Sequence, residues 1–158
     1  MQLLNIDANP KTIKGRRRGY VTAVLYLAPS DSSGTELCGM ADIAGCKAGC
    51  LNTAGRGGMA AGNATFTAAN GEALPDNAIQ RARLARTALY LNDRPAFMAQ
   101  LVREIERAKR YASRKRKKLV VRLNGTSDIR WESVPCVRRG IEYSNPFQAF
   151  SELQFYDY

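Results

Sequence analysis

The stretch YVTAVLYLAPS, residues 20–30, decides the class of fold. It is aromatic and β-branched, almost continuously apolar, and closed by Pro29. An apolar run without polar alternation predicts a strand buried on both faces, the environment of a parallel sheet. A second such run, Leu119 to Leu123 within KKLVVRLNGTSDIRWE, predicts its partner. Two helical patterns lie between them. The first, residues 76–91, carries Ile79, Leu84, Ala88 and Leu91 at helical spacing, with Asp76 as its N-cap. The second opens at Asp93 and Pro95 and carries an apolar stripe of Phe97, Leu101, Ile105, Ala108 and Ala112. Its outer face holds Arg103, Glu106 and Arg110, with Glu106 and Arg110 spaced to pair. Strands separated by helices imply right-handed βαβ crossovers.

Outside this block the elements are shorter. Leu3, Leu4 and Ile6 predict a small edge strand in a lead-in of residues 1–19, and residues 31–72 read as a Cys- and Gly-rich loop. A short helix is expected over residues 146–153, capped by Asn145 or Ser144, and QFYDY, residues 154–158, reads as a third strand. The predicted architecture is α/β, a short parallel sheet with βαβ crossovers arranged like part of a (β/α) barrel. A length of 158 residues and an apolar content of 45% predict one globular domain with a real core. A chain that stops in or just after a strand suggests a short member, or a piece, of a longer fold.

The chain contains no histidine, so imidazole cannot serve as a general base or a ligand. Three of its four cysteines fall within thirteen residues, as Cys38-x7-Cys46-x3-Cys50 in CGMADIAGCKAGCLNTAGRGG. No apolar run approaches the ~18 residues of a membrane span. The first residues place charge after the apolar positions, the reverse of a secretory signal. The expectation is a cytoplasmic protein with reduced thiols, which points to metal or redox chemistry more than to disulfides. Cys38, Cys46 and Cys50 are the candidate metal ligands, with Cys136 as a candidate fourth. An iron–sulfur cluster of four irons suits thiolate donors in a glycine-rich loop, with Cys136, Asp128, water or a small molecule at the fourth iron. Structural zinc completed by Cys136, a redox thiol pair, and simple packing cysteines are the other readings; the absence of C-x2-C weakens the first two.

Two further groups surround this loop. Gly55, Arg56 and Gly57 in GRGGMAAGN can approach a ligand closely or cradle an anion, and can equally form a plain flexible loop. Asn124, Ser127 and Asp128 follow the second strand, where parallel folds place their chemistry, and are the candidate catalytic residues; Asn124 and Asp128 are also candidate cofactor contacts. Trp131 reads as half-buried beside Glu132, and Asp157 is a weaker candidate.

The strand followed by a cysteine loop is similar in topology to radical-SAM enzymes. There three cysteines hold a cluster whose open iron binds S-adenosylmethionine, and a polar motif after the second strand holds the methionine part. Asn124, Gly125, Thr126, Ser127 and Asp128 stand in that place here. The spacing departs from the C-x3-C-x2-C of those enzymes, and the chain is shorter than their complete barrel. A more specific resemblance joins YVTAVLYLAPS, the cysteine loop, VVRLNGTSDIRWE and QFYDY. Together they resemble the phage and plasmid gene product 88 family over almost the whole chain. That resemblance implies a phage or mobile-element origin, in the cytoplasm of a bacterial host, and members that continue beyond QFYDY. It implies no particular activity.

The net charge is +10, unevenly spread. Arg16, Arg17 and Arg18 form one block. Arg107, Lys109, Arg110, Arg114, Lys115, Arg116, Lys117 and Lys118 form another. Such a field attracts phosphate polymers or an acidic host protein, or is only a solvated helix face. Two functions are therefore expected. One is a cysteine-loop metal centre, with electron-transfer or radical chemistry. The other is a non-enzymatic basic module, with structural zinc or no metal, that binds nucleic acid or an acidic protein.

Overall fold

The computed structural model describes residues 1–157, apart from the side chain of Lys11. In chain order the elements are β1 (Leu4–Ile6), α1 (Pro10–Arg16), β2 (Tyr20–Leu25), β3 (Thr65–Thr67) and β4 (Ala73–Pro75). They continue with α2 (Ala78–Asn92), α3 (Arg94–Arg114), β5 (Lys118–Arg122), β6 (Cys136–Arg138), β7 (Ile141–Tyr143), α4 (Pro146–Ala149) and β8 (Gln154–Phe155). The protein is mixed α/β and divides into two compact units.

The sheet unit holds Met1–Leu25, Asp93–Gly125 and Arg130–Tyr158. Its four strands run in the order β1-β2-β5-β8. β2 and β5 pair in parallel from Tyr20↔Lys118 to Val24↔Arg122, and β5 pairs in parallel with β8. β1 pairs with β2 antiparallel, so the sheet is mixed rather than wholly parallel as expected. The reason is local: only α1 separates β1 from β2, and that connection returns the chain to the sheet in the opposite sense. No sheet closes among the described residues.

Helix α3 covers this sheet. Asp93 caps it, accepting the Ala96 N–H at 3.0 Å, and Pro95 sits in its first turn. Phe97, Leu101, Ile105, Ala108 and Ala112 are buried as their spacing predicts. They share the core with Val21, Ala23, Leu25, Leu119, Val121 and Phe150. Charged side chains also enter it: Glu104, 7% exposed, accepts the N–H groups of Leu3 at 3.0 Å and Leu4 at 2.8 Å. It thereby satisfies the backbone of β1. The β6–β7 hairpin was not expected; it turns at Arg139 and Gly140, both at positive φ, a two-residue hairpin geometry. Arg138, 9% exposed, is bonded to Glu106 and Glu152, each at 2.8 Å, with its guanidinium 4.0 Å from the Phe150 ring centroid.

The loop unit holds Tyr26–Asn92 and Thr126–Ile129. The strand predicted over residues 20–30 ends its ladder at Leu25. Residues 27–30 stay buried but are irregular. Buried backbone polar groups need partners, and here side chains supply them. The Ala28 N–H donates to Thr87 Oγ1 at 2.9 Å, Arg86 donates to the Tyr26 carbonyl at 3.4 Å, and Thr126 Oγ1 donates to the Leu27 carbonyl at 2.5 Å. This corrects the reading of α2. Its buried residues are Gln80, Arg83, Arg86, Thr87 and Tyr90, while Ile79 and Ala88 are exposed. Its cap is Asn77, whose Oδ1 accepts the N–H groups of Ile79 and Gln80 at 2.9 Å. Asp76 instead pairs with Arg81 at 2.6 Å. A short hairpin, with β3 inside the segment predicted as loop and β4 just beyond it, was also not expected.

Candidate functional site

Of the three clustered cysteines, Cys38 is held directly and Cys50 precedes a segment that is held. Cys38 forms a parallel bridge with Asp128, so the segments following β2 and β5 pair again inside the loop unit. Its half-buried Sγ accepts the Ser30 N–H at 3.2 Å. Burial pushes the Cys38 thiol up, while N–H groups from Ser30 and Asp128 pull it down. Glu36 braces the turn, accepting the Cys38 N–H at 2.7 Å and the Ser30 hydroxyl at 2.9 Å.

Cys50 is exposed, but the chain just after it is gripped by α2. Gln80 Nε2 donates to the carbonyls of Asn52 and Gly57, both at 2.9 Å. Arg83 Nη1 donates to the Asn52 carbonyl and to its Oδ1, both at 2.6 Å. Asn77 Nδ2 donates to the carbonyls of Gly57 at 3.1 Å and Met59 at 2.8 Å. Residues 52–59 fold as tight 3-10 turns that turn their carbonyls toward these side chains. This explains Gly57, which is buried: a Cβ there would stand 2.5 Å from the Asn52 carbonyl oxygen. Gly55 instead sits at φ +56° in open space, and Arg56 is exposed.

Cys46 differs. It is exposed within the continuously exposed run of residues 42–51, and its Sγ makes one long bond, to the Ala41 carbonyl at 3.6 Å. Among the described residues no three Cys, Asp or Glu side chains gather as a metal site. Cys38 and Cys50 nonetheless lie within electrostatic reach of one another.

Two buried polar atoms of this unit lack partners among the described residues: Arg83 Nε and Ser127 Oγ. Arg83 is only 8% exposed, and no described carboxylate pairs with it. Burial lowers its pKa from the usual guanidinium value, opposed by Tyr26 and Cys50 nearby and reinforced by Arg86. Arg83, desolvated and in electrostatic reach of Cys50, is a cation that an anionic partner can neutralise. The sequence reading missed Arg83 and Gln80. Their signal was present: two polar residues at i and i+3 in a helix whose apolar positions do not form a full face.

The remaining candidates fall elsewhere. Cys136 is buried in β6 of the sheet unit, where burial raises its thiol, and it lines a groove with Pro95, Met98 and Glu142. Asn124 is also in the sheet unit, with its Oδ1 accepting the Trp131 Nε1–H at 2.8 Å. Trp131 is 1% exposed, not half-buried, because that bond satisfies its indole and Phe97 stacks on it at 6.3 Å. Glu132 is exposed, and Asp157 pairs with Arg122 at 3.1 Å. The expected third strand is two residues long, and Tyr158 lies outside the described residues. Glu106 pairs with Arg138 and Arg139, not with Arg110. Of the basic run, Lys109 pairs with Glu152 at 2.5 Å and Lys117 donates to the Arg16 carbonyl at 2.5 Å. Arg107, Arg110, Arg114, Lys115, Arg116 and Lys118 are exposed. No helix among the described residues is long and apolar enough to cross a membrane.

No curated protein and no solved structure matches this chain. The family described as gene product 88 matches residues 2–158, which takes in the strand, the cysteine loop, both long helices and the segment after β5. On that match the chain belongs to the gene product 88 family.

Proposed function

We propose that the loop unit binds an iron–sulfur cluster through Cys38, Cys46 and Cys50. The observation that carries this reading is the fixing of Cys38 and of the segment after Cys50, with Cys50 in electrostatic reach of the buried Arg83 guanidinium. Cys38 is held by Ser30 and Asp128, and Cys50 precedes a segment clamped by Gln80 and Arg83. Cys46 rides on an exposed turn that can close over a ligand. The donor set fits soft thiolate coordination and offers no histidine. A thiolate-ligated cluster is anionic, and Arg83 supplies the matching charge. Asp128, bridged to Cys38, is the nearest candidate for a remaining cluster position. When bound, the cluster supplies one-electron chemistry. The chain's own residues hold the thiols, donate N–H groups to Cys38 and keep water from Arg83.

S-adenosylmethionine is the organic cofactor that the topological similarity suggests. Three consecutively ordered parallel strands, β2, β5 and β8, are what an open piece of a barrel would contribute. Membership of the gene product 88 family supports a phage or mobile-element origin.

The test is oxygen-free reconstitution with ferrous iron and sulfide, followed by the visible spectrum. Broad absorbance near about 400 nm, retained after desalting and lost in Cys38→Ser or Cys50→Ser, is the expected result. A colourless protein with one tightly held zinc would replace the cluster with a structural site. Neither metal would leave the cysteines without a ligand role.

A further inference from the structure

Helix α3 carries arginines at Arg103, Arg107, Arg110 and Arg114, spaced four, three and four residues apart and so on one face. All four are exposed, opposite the buried stripe of Phe97, Leu101, Ile105, Ala108 and Ala112. None forms an ion pair among the described residues. Glu106, the acid whose spacing suits Arg110, is engaged by Arg138 and Arg139. The row is about 16 Å long at 1.5 Å per residue.

It runs into a second group of cations. Lys115, Arg116 and Lys118 are exposed where α3 ends. The parallel pairing of β2 with β5 begins there, with the Lys118 N–H donating to the Gly19 carbonyl at 2.9 Å. Lys117 Nζ reaches the Arg16 carbonyl. Two blocks of sequence about a hundred residues apart therefore meet, adding the exposed Arg17 and Arg18. The acid in this region, Asp7, has a fully buried side chain already paired with Arg16 at 2.6 Å.

Like charges at i, i+3 and i, i+4 cost a helix stability. A row with no acid to offset it makes sense where a partner supplies the opposite charge. We propose that this ridge binds the phosphate backbone of nucleic acid without reading its sequence. Guanidiniums suit phosphate oxygens through their fork of donors. The row is even and extended, as a phosphate backbone is and the scattered acids of a folded protein surface are not. Among the described residues no aromatic side chain is exposed as a platform: Tyr111, under Lys115 at 6.0 Å, is half-buried. Backbone contact rather than base stacking follows.

The test is fluorescence anisotropy with a short labelled DNA duplex of mixed sequence, titrated at several salt concentrations. Each phosphate contact contributes about 0.9 to the log–log salt slope. Replacing Arg103, Arg107, Arg110 and Arg114 by Gln, a good helix former, is expected to reduce the slope by about 3 to 4. Replacing Arg56, Arg94, Arg130 and Arg139 by Gln removes the same charge outside the row and is expected to change it by less than about 1. If the fourfold variant fails to fold, the Arg107→Gln, Arg110→Gln pair is expected to reduce the slope by about 2. Equal loss from both sets would overturn the ridge in favour of net charge alone. No duplex binding at low salt, with binding of an acidic polypeptide instead, would overturn the nucleic-acid assignment.

Discussion

Replacing Gly57 by Ala tests whether α2 really fixes the cysteine loop. The new Cβ would lie 2.5 Å from the Asn52 carbonyl oxygen and 3.4 Å from Arg83 Nη1. Comfortable carbon contacts begin near 3.5 Å, so the backbone must give by about 1 Å. The displaced groups are the ones α2 holds. Gln80 bonds at 2.9 Å to the Asn52 and Gly57 carbonyls, and Arg83 bonds at 2.6 Å to the Asn52 carbonyl. An added 1 Å takes the Gln80 bonds out of hydrogen-bonding range. Two or three bonds at about 1 kcal/mol each, with more for the charged one, amount to about 3 kcal/mol. That is roughly a hundredfold in the opening equilibrium of the loop. Amide hydrogen exchange over residues 52–60 reads it directly, with faster exchange by about that factor expected. Gly49→Ala is the control, since a Cβ there meets nothing within 4 Å. Unchanged protection in Gly57→Ala would refute the clamp, and with it the idea that Cys50 is held ready.

Three other outcomes follow from the geometry. Arg83→Gln should leave an iron-loaded protein that loses iron to a chelator about tenfold faster, about 1.4 kcal/mol, with Arg83→Lys intermediate; equal rates would remove Arg83 from the site. Glu104→Ala strips the partner from the Leu3 and Leu4 N–H groups and should cost about 2–4 kcal/mol in urea unfolding, with a loss under about 0.5 kcal/mol contradicting the account. Glu152 is held down at about 2, first by the Arg138 bond, against opposing burial and with help from Lys109. Its folded pKa lies below the ordinary 4.5, so its stabilisation is complete above that pH and is lost as pH falls toward about 2. Its side chain is 39% exposed, which screens the effect to about 1 kcal/mol or less. Glu152→Gln should therefore be less stable than the unaltered protein near neutrality, with the gap closing in that acid window; a gap independent of pH would contradict this.

Periodicity revealed the elements whose apolar faces meet an apolar core. The stripe of α3, the ladder of β5 and the first half of the 20–30 run are of that kind, and Asp93 and Asn145 cap as their positions suggest. It failed where side chains serve the backbone instead. The buried face of α2 is polar because residues 26–30 and 52–59 have no ladder and borrow donors from Gln80, Arg83 and Arg86 and an acceptor from Thr87. A hydrophobic pattern cannot show that, since the partners lie about thirty to sixty residues away in sequence. The same limit hid the fate of Glu106, whose helical neighbour Arg110 loses to the distant Arg138. The cysteine spacing was legible, and so was the need for glycine near it. The burial of Arg83 was not, because a buried arginine looks like a surface one until its neighbours are known.

The most direct measurement is iron, zinc and acid-labile sulfide per chain in protein purified without oxygen, for the unaltered protein and for Cys46→Ser. The account predicts matched iron and sulfide in the first and a marked loss in the second, since the exposed Cys46 has no packing role to confuse the result. Iron and sulfide absent from the unaltered protein, or present equally in both, would contradict it.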